Sequence, residues 1–254
     1  MNTILKQFLP AIIAPFVGIA LWAFIVRVFS IPSYLLPSPQ SVLASISNSY
    51  PTLLYDAGIT FSEALTGFAL CIVGGTLLSI SFQLWPITRR TLYPYLVATR
   101  IAPIIAVAPF LLLWLGNGFL AKAATAAVVS TFFTVINLMK GFDEVSGGAR
   151  ELMRSLSATR FQVLLKLQIP NAVPYFFAGI KAALATSIAG AVAAEFVSSN
   201  AGLGHLILTN YYYFRTAEMF GALLVLIAGG VLIFGAISLT ERVFFSHYSV
   251  RREP

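Results

Sequence analysis

Long apolar stretches, separated by single charged residues or short charged groups, dominate the chain. Uncharged segments cover residues 7–26, 64–88, 101–121, 123–139 and 219–240. Each falls within the range of about 17–25 residues that a helix needs to cross the hydrocarbon core of a bilayer. Segment 174–198 is a sixth candidate, although it carries Lys181 near its start and Glu195 near its end. We therefore predict an all-α integral membrane protein in one domain, with six transmembrane helices at about residues 8–29, 60–84, 95–115, 119–139, 174–198 and 219–240.

The uncharged segment 28–55 is as long as these stretches but does not have the composition of a span. Four prolines lie in it together with many serines, namely Pro32, Pro37, Pro39 and Pro51. Prolines and serines at this density favour turns and loops over a continuous helix. We predict an extracytoplasmic loop that carries a short interfacial helix at about residues 39–49.

The composition excludes an ordinary water-soluble enzyme. Hydrophobic residues make up 58% of the chain and charged residues only 10%, whereas soluble domains carry about 25% charged residues. The single cysteine, Cys71, lies within an apolar segment, so we expect neither an intrachain disulfide nor a cysteine-based metal site. The two histidines, His205 and His247, are too far apart in sequence to suggest a metal pair, and the sequence contains no phosphate-binding loop.

Basic residues indicate the orientation, because cytoplasmic loops of membrane proteins retain lysine and arginine. With the N-terminus inside, only Arg27, Lys122 and Arg215 lie outside. The inner set comprises Lys6, Arg89, Arg90, Arg100, Lys140, Arg150, Arg154, Arg160, Lys166, Lys181, Arg242, Arg251 and Arg252. The net charge of +7 then reflects topology and attraction to an anionic inner leaflet rather than nucleic-acid binding. We predict both termini in the cytoplasm, with a leaflet-binding C-terminal tail that contains His247.

One predicted cytoplasmic segment, residues 140–174, concentrates charge in a chain that otherwise has little. Leucines and valines recur there at helical spacing while basic and acidic residues supply the other side, which indicates an amphipathic helix at about residues 149–167. Gly147 and Gly148 precede this helix, and we expect Pro170 and Pro174 to break it afterwards. The residues alone leave two interpretations open: a membrane-surface helix or solvated connector, and a docking element for a cytoplasmic partner.

The same segment resembles the cytoplasmic signature of the permease subunits of ATP-binding-cassette importers, in particular the branch of nitrate, sulfonate and taurine permeases. That signature contains a Glu-Ala-Ala group, a glycine and a final hydrophobic-x-hydrophobic-Pro sequence. Here Glu151-Leu152-Met153 occupies the first position, Ser157 the glycine position and Leu167-Gln168-Ile169-Pro170 the end. Three further segments resemble this branch: YLLPSPQSV at 34–42, TRIAPIIAVAPFLLLWLGNG at 99–118 and AGIKAALATSIAGAVAAEFVSSNAGLGHLI at 178–207.

The resemblance implies a type I importer permease fold and a division of labour among subunits. In such importers two permease chains form the pore, two cytoplasmic ATPase subunits bind ATP and magnesium, and an extracytoplasmic binding protein delivers the solute. This chain would then bind no cofactor, catalyse no reaction and lie in a bacterial inner membrane, most simply as a homodimer. Its ATPase contact would comprise Glu151, Arg154, Ser157 and Pro170, with Leu152 and Leu156 as apolar anchors.

Two carboxylates within the predicted spans need a compensating environment, because an ionisable group there costs at least about 2.5 kcal/mol unless it is paired or hydrated. Glu195 either reaches water or a partner near the outer interface, or it lines the translocation path or its outer gate. Glu63, near the outer end of the second span, raises the same question. We expect a stripe of small residues to let helices pack closely beside Glu195, comprising Ala182, Ala185, Ala189 and Ala193. The candidate path or gate residues are therefore Glu195, Glu63 and Ala189.

The branch resemblance favours a small anion, such as nitrate, a sulfonate or taurine, as the transported solute. Similar permeases move pyrimidine or flavin-like vitamin precursors, and this alternative stays open because selectivity often resides in the binding protein. A self-contained secondary transporter is an alternative of another class, but it would predict inverted repeats, which the sequence lacks.

Overall fold

The computed structural model describes the backbone of residues 2–244 and the side chains of residues 13–243, and within these residues it contains helices and no strand. The helices are α1 (Asn2–Val28), α2 (Pro39–Asn48), α3 (Tyr50–Leu84), α4 (Pro86–Ile101), α5 (Ile104–Leu115), α6 (Phe119–Asp143), α7 (Gly147–Ser155), α8 (Arg160–Val163), α9 (Ile169–Val197), α10 (Leu203–Tyr212) and α11 (Thr216–Phe244). A π-helical turn, Leu164–Gln168, joins α8 to α9. The predicted all-α fold is thereby confirmed. The predicted C-terminal tail with His247, Arg251 and Arg252 lies outside the described residues, as does the side chain of Lys6.

Fewer than six helices in the described part of the chain are long and apolar enough to cross a membrane alone. Four meet that condition: α3, α6, α11 and the helix that runs from Arg160 through α9. The bent pair α4 and α5 gives a fifth if it is counted as one span. The described apolar part of α1, Ile13–Val28, is shorter than a full span.

The span predicted at 95–115 is not a continuous helix. Helix α4 ends at Ile101, α5 begins at Ile104, and their directions differ by 112°. Pro103 explains the break, since it has no N–H to donate and disfavours helical geometry at the preceding residue. Ala102 accordingly has extended dihedral angles, with φ −62° and ψ 129°.

Helix α3 begins at Tyr50, well before the predicted start of the second span near residue 60. Pro51 lies in its first turn, where a missing N–H removes no intrahelical hydrogen bond. The outer loop is therefore shorter than the predicted 28–55. Helix α2 forms within that loop, and the Ser38 hydroxyl caps it by accepting a hydrogen bond from the Ser41 N–H at 3.2 Å.

Three helices, α3, α6 and α9, form the packed centre of the bundle, and glycines set their close approach. A Cβ atom added to Gly67 of α3 would lie 2.5 Å from the Ala123 carbonyl oxygen of α6. A Cβ atom added to Gly190 of α9 would lie 2.9 Å from the Ala126 Cα. Small residues let helix backbones approach closely where lipid provides no hydrophobic driving force for association. The packing stripe of α9 thus contains Gly190, whereas Ala185 and Ala189 of the predicted stripe are exposed.

The contact at Gly67 generates a stability prediction. We expect Gly67→Ala to lower the free energy of unfolding by about 1–3 kcal/mol, because the added methyl group overlaps backbone atoms that cannot move away. Gly74→Ala is the matched control in the same helix, since nothing lies within 4 Å of its added Cβ. The control should be neutral or slightly stabilising. Unfolding of both purified variants in mixed detergent micelles would measure the difference, and equal stabilities would contradict the packing argument.

Candidate functional site

Helix α7 presents an apolar edge that nothing in the described chain covers. Ser146 caps its N-terminus by accepting a hydrogen bond from the Ala149 N–H at 3.3 Å. No residue of α7 is buried, and the side chains of Leu152 and Leu156 are 60% and 67% exposed. Two neighbouring leucines exposed beside charged groups form a surface suited to contact with another molecule.

The predicted helix at 149–167 is two helices separated by a turn. Helix α7 ends at Ser155, and Ser157 has a left-handed backbone with φ 52°. Helix α8 starts afresh with a capping box, in which the Thr159 hydroxyl accepts from the Gln162 N–H and the Gln162 side chain accepts from the Thr159 N–H. A serine thus occupies the conformation that glycine adopts most readily.

The break expected at Pro170 and Pro174 does not occur. The chain stays helical from Arg160 to Val197, with the π-helical turn placed just before Pro170. The Ile169 N–H donates to the Leu164 carbonyl oxygen, five residues back. This wider turn relieves the clash that a proline ring makes with the preceding turn of an α-helix, so the helix continues through Pro170.

Hydrogen bonds fasten α7 and the start of α9 to the end of α6. The Arg150 guanidinium donates to the carbonyl oxygens of Phe142, at 3.0 Å, and Asp143, at 2.8 Å. The Asn171 side-chain amide donates to the Gly141 carbonyl oxygen at 2.8 Å. The last carbonyls of a helix have no intrahelical partner, so these side chains satisfy groups that would otherwise need water. Sequence reasoning missed this role of Arg150, although a basic residue near a helix C-terminus commonly donates hydrogen bonds to the last carbonyl groups.

The structure brings most of the predicted ATPase-contact residues onto one exposed segment. Those on α7 and the following turn are all exposed: Glu151, Leu152, Arg154, Leu156 and Ser157. Pro170 is half-buried in the first turn of α9 and is not part of this exposed segment.

A buried ion pair joins α3 to α6. The Lys122 ammonium lies 3.0 Å from a Glu63 carboxylate oxygen, with side-chain exposures of 9% and 2%. It also donates to the Ser199 hydroxyl at 2.7 Å. Lys122 thus lies near the start of α6, within the span predicted at 119–139. The sequence Gly116-Asn117-Gly118 supplies the turn before α6.

Glu195 is buried beside this ion pair and holds the loop that follows α9. Its carboxylate accepts hydrogen bonds from the Thr60 hydroxyl and from the Gly204 N–H, both at 2.6 Å. Gly202 has φ 107°, and a Cβ atom there would overlap the Glu195 carboxylate. Glu195 is 1% exposed, so the compensating environment expected for it is supplied by protein hydrogen bonds.

A cavity of about 450 Å³ opens where the α4–α5 break faces α6 and α9. Ala189 lines it, whereas Glu63 and Glu195 do not. The lining residues are Thr99, Arg100, Ile101, Ala102, Pro103, Ile104, Val129, Phe133, Ala185, Thr186 and Ala189. Of the three candidate path residues, the structure thus brings only Ala189 to this cavity.

Arg100 lies far along the bundle, within the span predicted at 95–115. The start of α4 and the end of α6 meet at the Arg89–Asp143 ion pair, at 3.5 Å. The Arg100 guanidinium stacks on the Phe133 ring, 5.3 Å from its centroid. Both residues are about 15 Å along their helices from that ion pair. Pro103 ends α4 shortly after Arg100, inside an apolar segment.

Comparison with solved structures shows the fold. The fold matches a chain in the crystal structure of an amino acid ABC transporter with histidines, with a TM-score of 0.64. The match covers 80% of this chain and 97% of that chain at 15% sequence identity. The two chains therefore share one arrangement of helices.

Sequence comparison then gives the family. The binding-protein-dependent transport system inner membrane component family matches residues 72–244, and the chain belongs to this family. Membership implies an ATPase subunit and a binding protein as partners. Similarity to sulfonate, nitrate and taurine permeases over most of the chain confirms the branch resemblance.

Three relatives illustrate the range of solutes in the family. The formylaminopyrimidine transport permease ThiX of Halalkalibacterium halodurans is 31% identical, over 88% of this chain and 89% of the relative. The riboflavin transport permease RibX of Chloroflexus aurantiacus is 30% identical, over 87% and 84%. The taurine transport permease TauC of Escherichia coli is 24% identical, over 92% and 88%.

The buried ion pair generates a prediction about stability. Lys122→Met removes the ammonium but keeps an unbranched side chain, and it leaves the Glu63 carboxylate buried without its cation. We expect a loss of about 3–5 kcal/mol in unfolding free energy. The double variant Lys122→Met with Glu63→Leu should recover most of that loss, because no unpaired charge then remains buried.

Lys140→Met is the control for this prediction. Lys140 forms an exposed ion pair with Glu144 at 3.7 Å, and such pairs contribute at most about 1 kcal/mol. Denaturation of the detergent-solubilised proteins would measure all three variants. A Lys122→Met protein as stable as the Lys140→Met control would refute the role of the buried pair.

Proposed function

We propose that two copies of this chain form the translocation path of an importer, with α7 of each copy docked on a cytoplasmic ATPase subunit. The single observation that carries this proposal is the uncovered apolar edge of α7, a helix that Arg150 ties by hydrogen bonds to the end of α6. A surface helix that merely rested on lipid would not need the Arg150 contacts with Phe142 and Asp143.

The contacts define a route for mechanical coupling. Leu152 and Leu156 insert into a groove of the ATPase subunit, with Glu151 and Arg154 providing charged contacts at the rim. Movement of α7 on ATP binding and hydrolysis pulls on the last carbonyls of α6 through Arg150, and on α9 through Asn171. Since α6 and α9 both line the cavity, the displacement changes its access to the two sides of the membrane.

Both termini lie in the cytoplasm in this proposal. Helix α7 and the Arg89–Asp143 ion pair are at the same end of the bundle, and this end carries most of the basic residues. Its opposite end has an exposed aromatic group of Tyr211, Tyr212, Tyr213 and Phe214. Lysine and arginine at one end and aromatic residues at the other fit a positive cytoplasmic side.

Exposed apolar surface supports assembly of two identical chains. On α1, Phe16 and Phe24 are 70% and 61% exposed, and on α5 the side chains of Leu113 and Trp114 are 79% and 73% exposed. Lipid covers part of this surface and a second copy covers the rest. A homodimer places two cavities opposite each other across one path.

The transported solute is a small anion such as nitrate, a sulfonate or taurine. Arg100 supports this assignment, because it places a positive charge at the cavity wall. A pyrimidine or flavin-like vitamin precursor is a second candidate. The relatives ThiX and RibX, named for such solutes, are 31% and 30% identical to this chain, against 24% for TauC.

Reversal of a charge on α7 tests the docking role. We expect Glu151→Lys to weaken ATPase attachment at least about tenfold, because reversing a rim charge sets like charges against each other across the interface, which costs several kcal/mol. Co-purification of the ATPase subunit in detergent would measure attachment, and uptake into proteoliposomes would measure coupling. Arg90→Glu, a charge reversal at an exposed site near the start of α4, is the control. Full attachment and uptake in the Glu151→Lys protein would count against the proposal.

Arg150 and Arg154 should behave differently when each is replaced by alanine. Arg150→Ala removes the hydrogen bonds to α6, so we expect the ATPase to stay attached while solute uptake per ATP hydrolysed falls. Arg154→Ala removes an exposed group of α7 that makes no hydrogen bond or ion pair with the described residues, so attachment itself should weaken. Parallel measurements of attachment, ATP hydrolysis and uptake would separate the two effects. Identical losses of attachment in both variants would contradict the proposed route.

A further inference from the structure

Arg100 is a cation without a carboxylate partner at mid-depth of the bundle. The ion pairs formed among the described residues do not include it. Its contact is with the Phe133 ring, and its side chain is exposed. A charged group at this depth costs at least about 2.5 kcal/mol unless water or a partner compensates it. Arg100 therefore needs a polar or hydrated surrounding, and the cavity that it lines can supply one.

The cavity beside Arg100 is suited to a small polar solute. Its described walls combine the Thr99 and Thr186 hydroxyl groups with the methyl groups of Ala185 and Ala189. Arg100 is the single formally charged residue among those that line it. A volume of about 450 Å³ falls in the range of about 300–1,000 Å³ of small-molecule sites.

We propose that Arg100 and the cavity beside it form an anion-binding site in the translocation path, selective for a small oxyanion such as nitrate or a sulfonate. This inference rests on the proposed function, in which the cavity belongs to the path. The guanidinium presents parallel N–H donors that match the geometry of an oxyanion. Stacking on Phe133 orients the guanidinium plane and leaves its edge free for the solute. A neutral vitamin precursor gains no charge attraction at this site.

The single native cysteine makes a direct test feasible. Cys71 is fully buried and lies 3.2 Å from the Thr134 hydroxyl, and a Cys71→Ala protein provides a background without thiols in this chain. In that background, Ala189→Cys places one thiol in the cavity wall. Two methanethiosulfonate reagents of similar size, one carrying a sulfonate and the other a trimethylammonium group, report the local potential by their rates of reaction.

We expect the anionic reagent to react faster than the cationic one at the Ala189→Cys thiol. Addition of Arg100→Ala should lower the ratio of the two rates about tenfold, since a focused positive charge raises local anion concentration by that order or more. Arg100→Lys should retain most of the ratio. Leu232→Cys, on an exposed apolar part of α11, is the control and should react slowly with both reagents.

Protection by solutes tests the chemical class. Nitrate and methanesulfonate, compared with chloride at equal ionic strength, should slow labelling of the Ala189→Cys thiol when Arg100 is present and not in the Arg100→Ala protein. Riboflavin should give no protection. An unchanged rate ratio in the Arg100→Ala protein, or protection by riboflavin but not by the oxyanions, would overturn the proposal.

Two features keep the outcome interpretable. If Ala189→Cys does not fold, the ratio of the two labelling rates can be measured at Thr186→Cys in the same cavity. The labelling reports the cavity of the purified permease complex and does not depend on transport. A working importer with an unchanged rate ratio would refute the anion site alone, whereas full ATPase attachment and uptake in the Glu151→Lys protein would refute the proposed function.

Discussion

The compensation of buried charge is the constraint on which the rest of the bundle depends. A lysine and a glutamate taken out of water each cost several kcal/mol, and they are tolerated because each is paired and hydrogen-bonded. Lys122 and Glu63 meet this condition where the start of α6 packs against α3. Glu195 meets it with the Thr60 hydroxyl and the Gly204 N–H. The same contacts hold α3, α6 and the loop after α9 together at one end of the bundle.

The other end of the bundle, where α6 ends, is held by hydrogen bonds from side chains to helix carbonyl groups. Carbonyl groups at the end of α6 accept hydrogen bonds from Arg150 and Asn171, so that α7 and α9 are both attached to one helix terminus. Between these two closed ends, α4 breaks off at Pro103 and leaves the cavity beside Arg100. The bundle is thus held by hydrogen bonds and ion pairs at both ends, and the cavity lies between them at the side of the packed centre.

The sequence predicted those parts of the fold that depend on local composition. Long apolar segments predicted the helices, and the amphipathic pattern predicted the exposed element at α7. It failed where tertiary partners decide the outcome. Charges served to mark the ends of spans, but the structure pairs Lys122 with Glu63 of another helix and places Arg100 at the wall of a cavity. Neither the ion pair nor the cavity can be recognised from residues adjacent in sequence, whereas Pro103 is a recognisable signal for the helix break.

The π-helical turn before α9 also determines how α9 is rotated about its own axis. One extra residue in a turn rotates everything downstream by about 100° around the helix axis. The turn at Leu164–Gln168 therefore decides which side of α9 points toward its neighbours. With it, Gly190 meets α6 while Ala189 borders the cavity. Shortening this turn by one residue would turn a different set of α9 side chains toward the cavity and α6, so the packing of α9 depends on a segment at the opposite end of the helix.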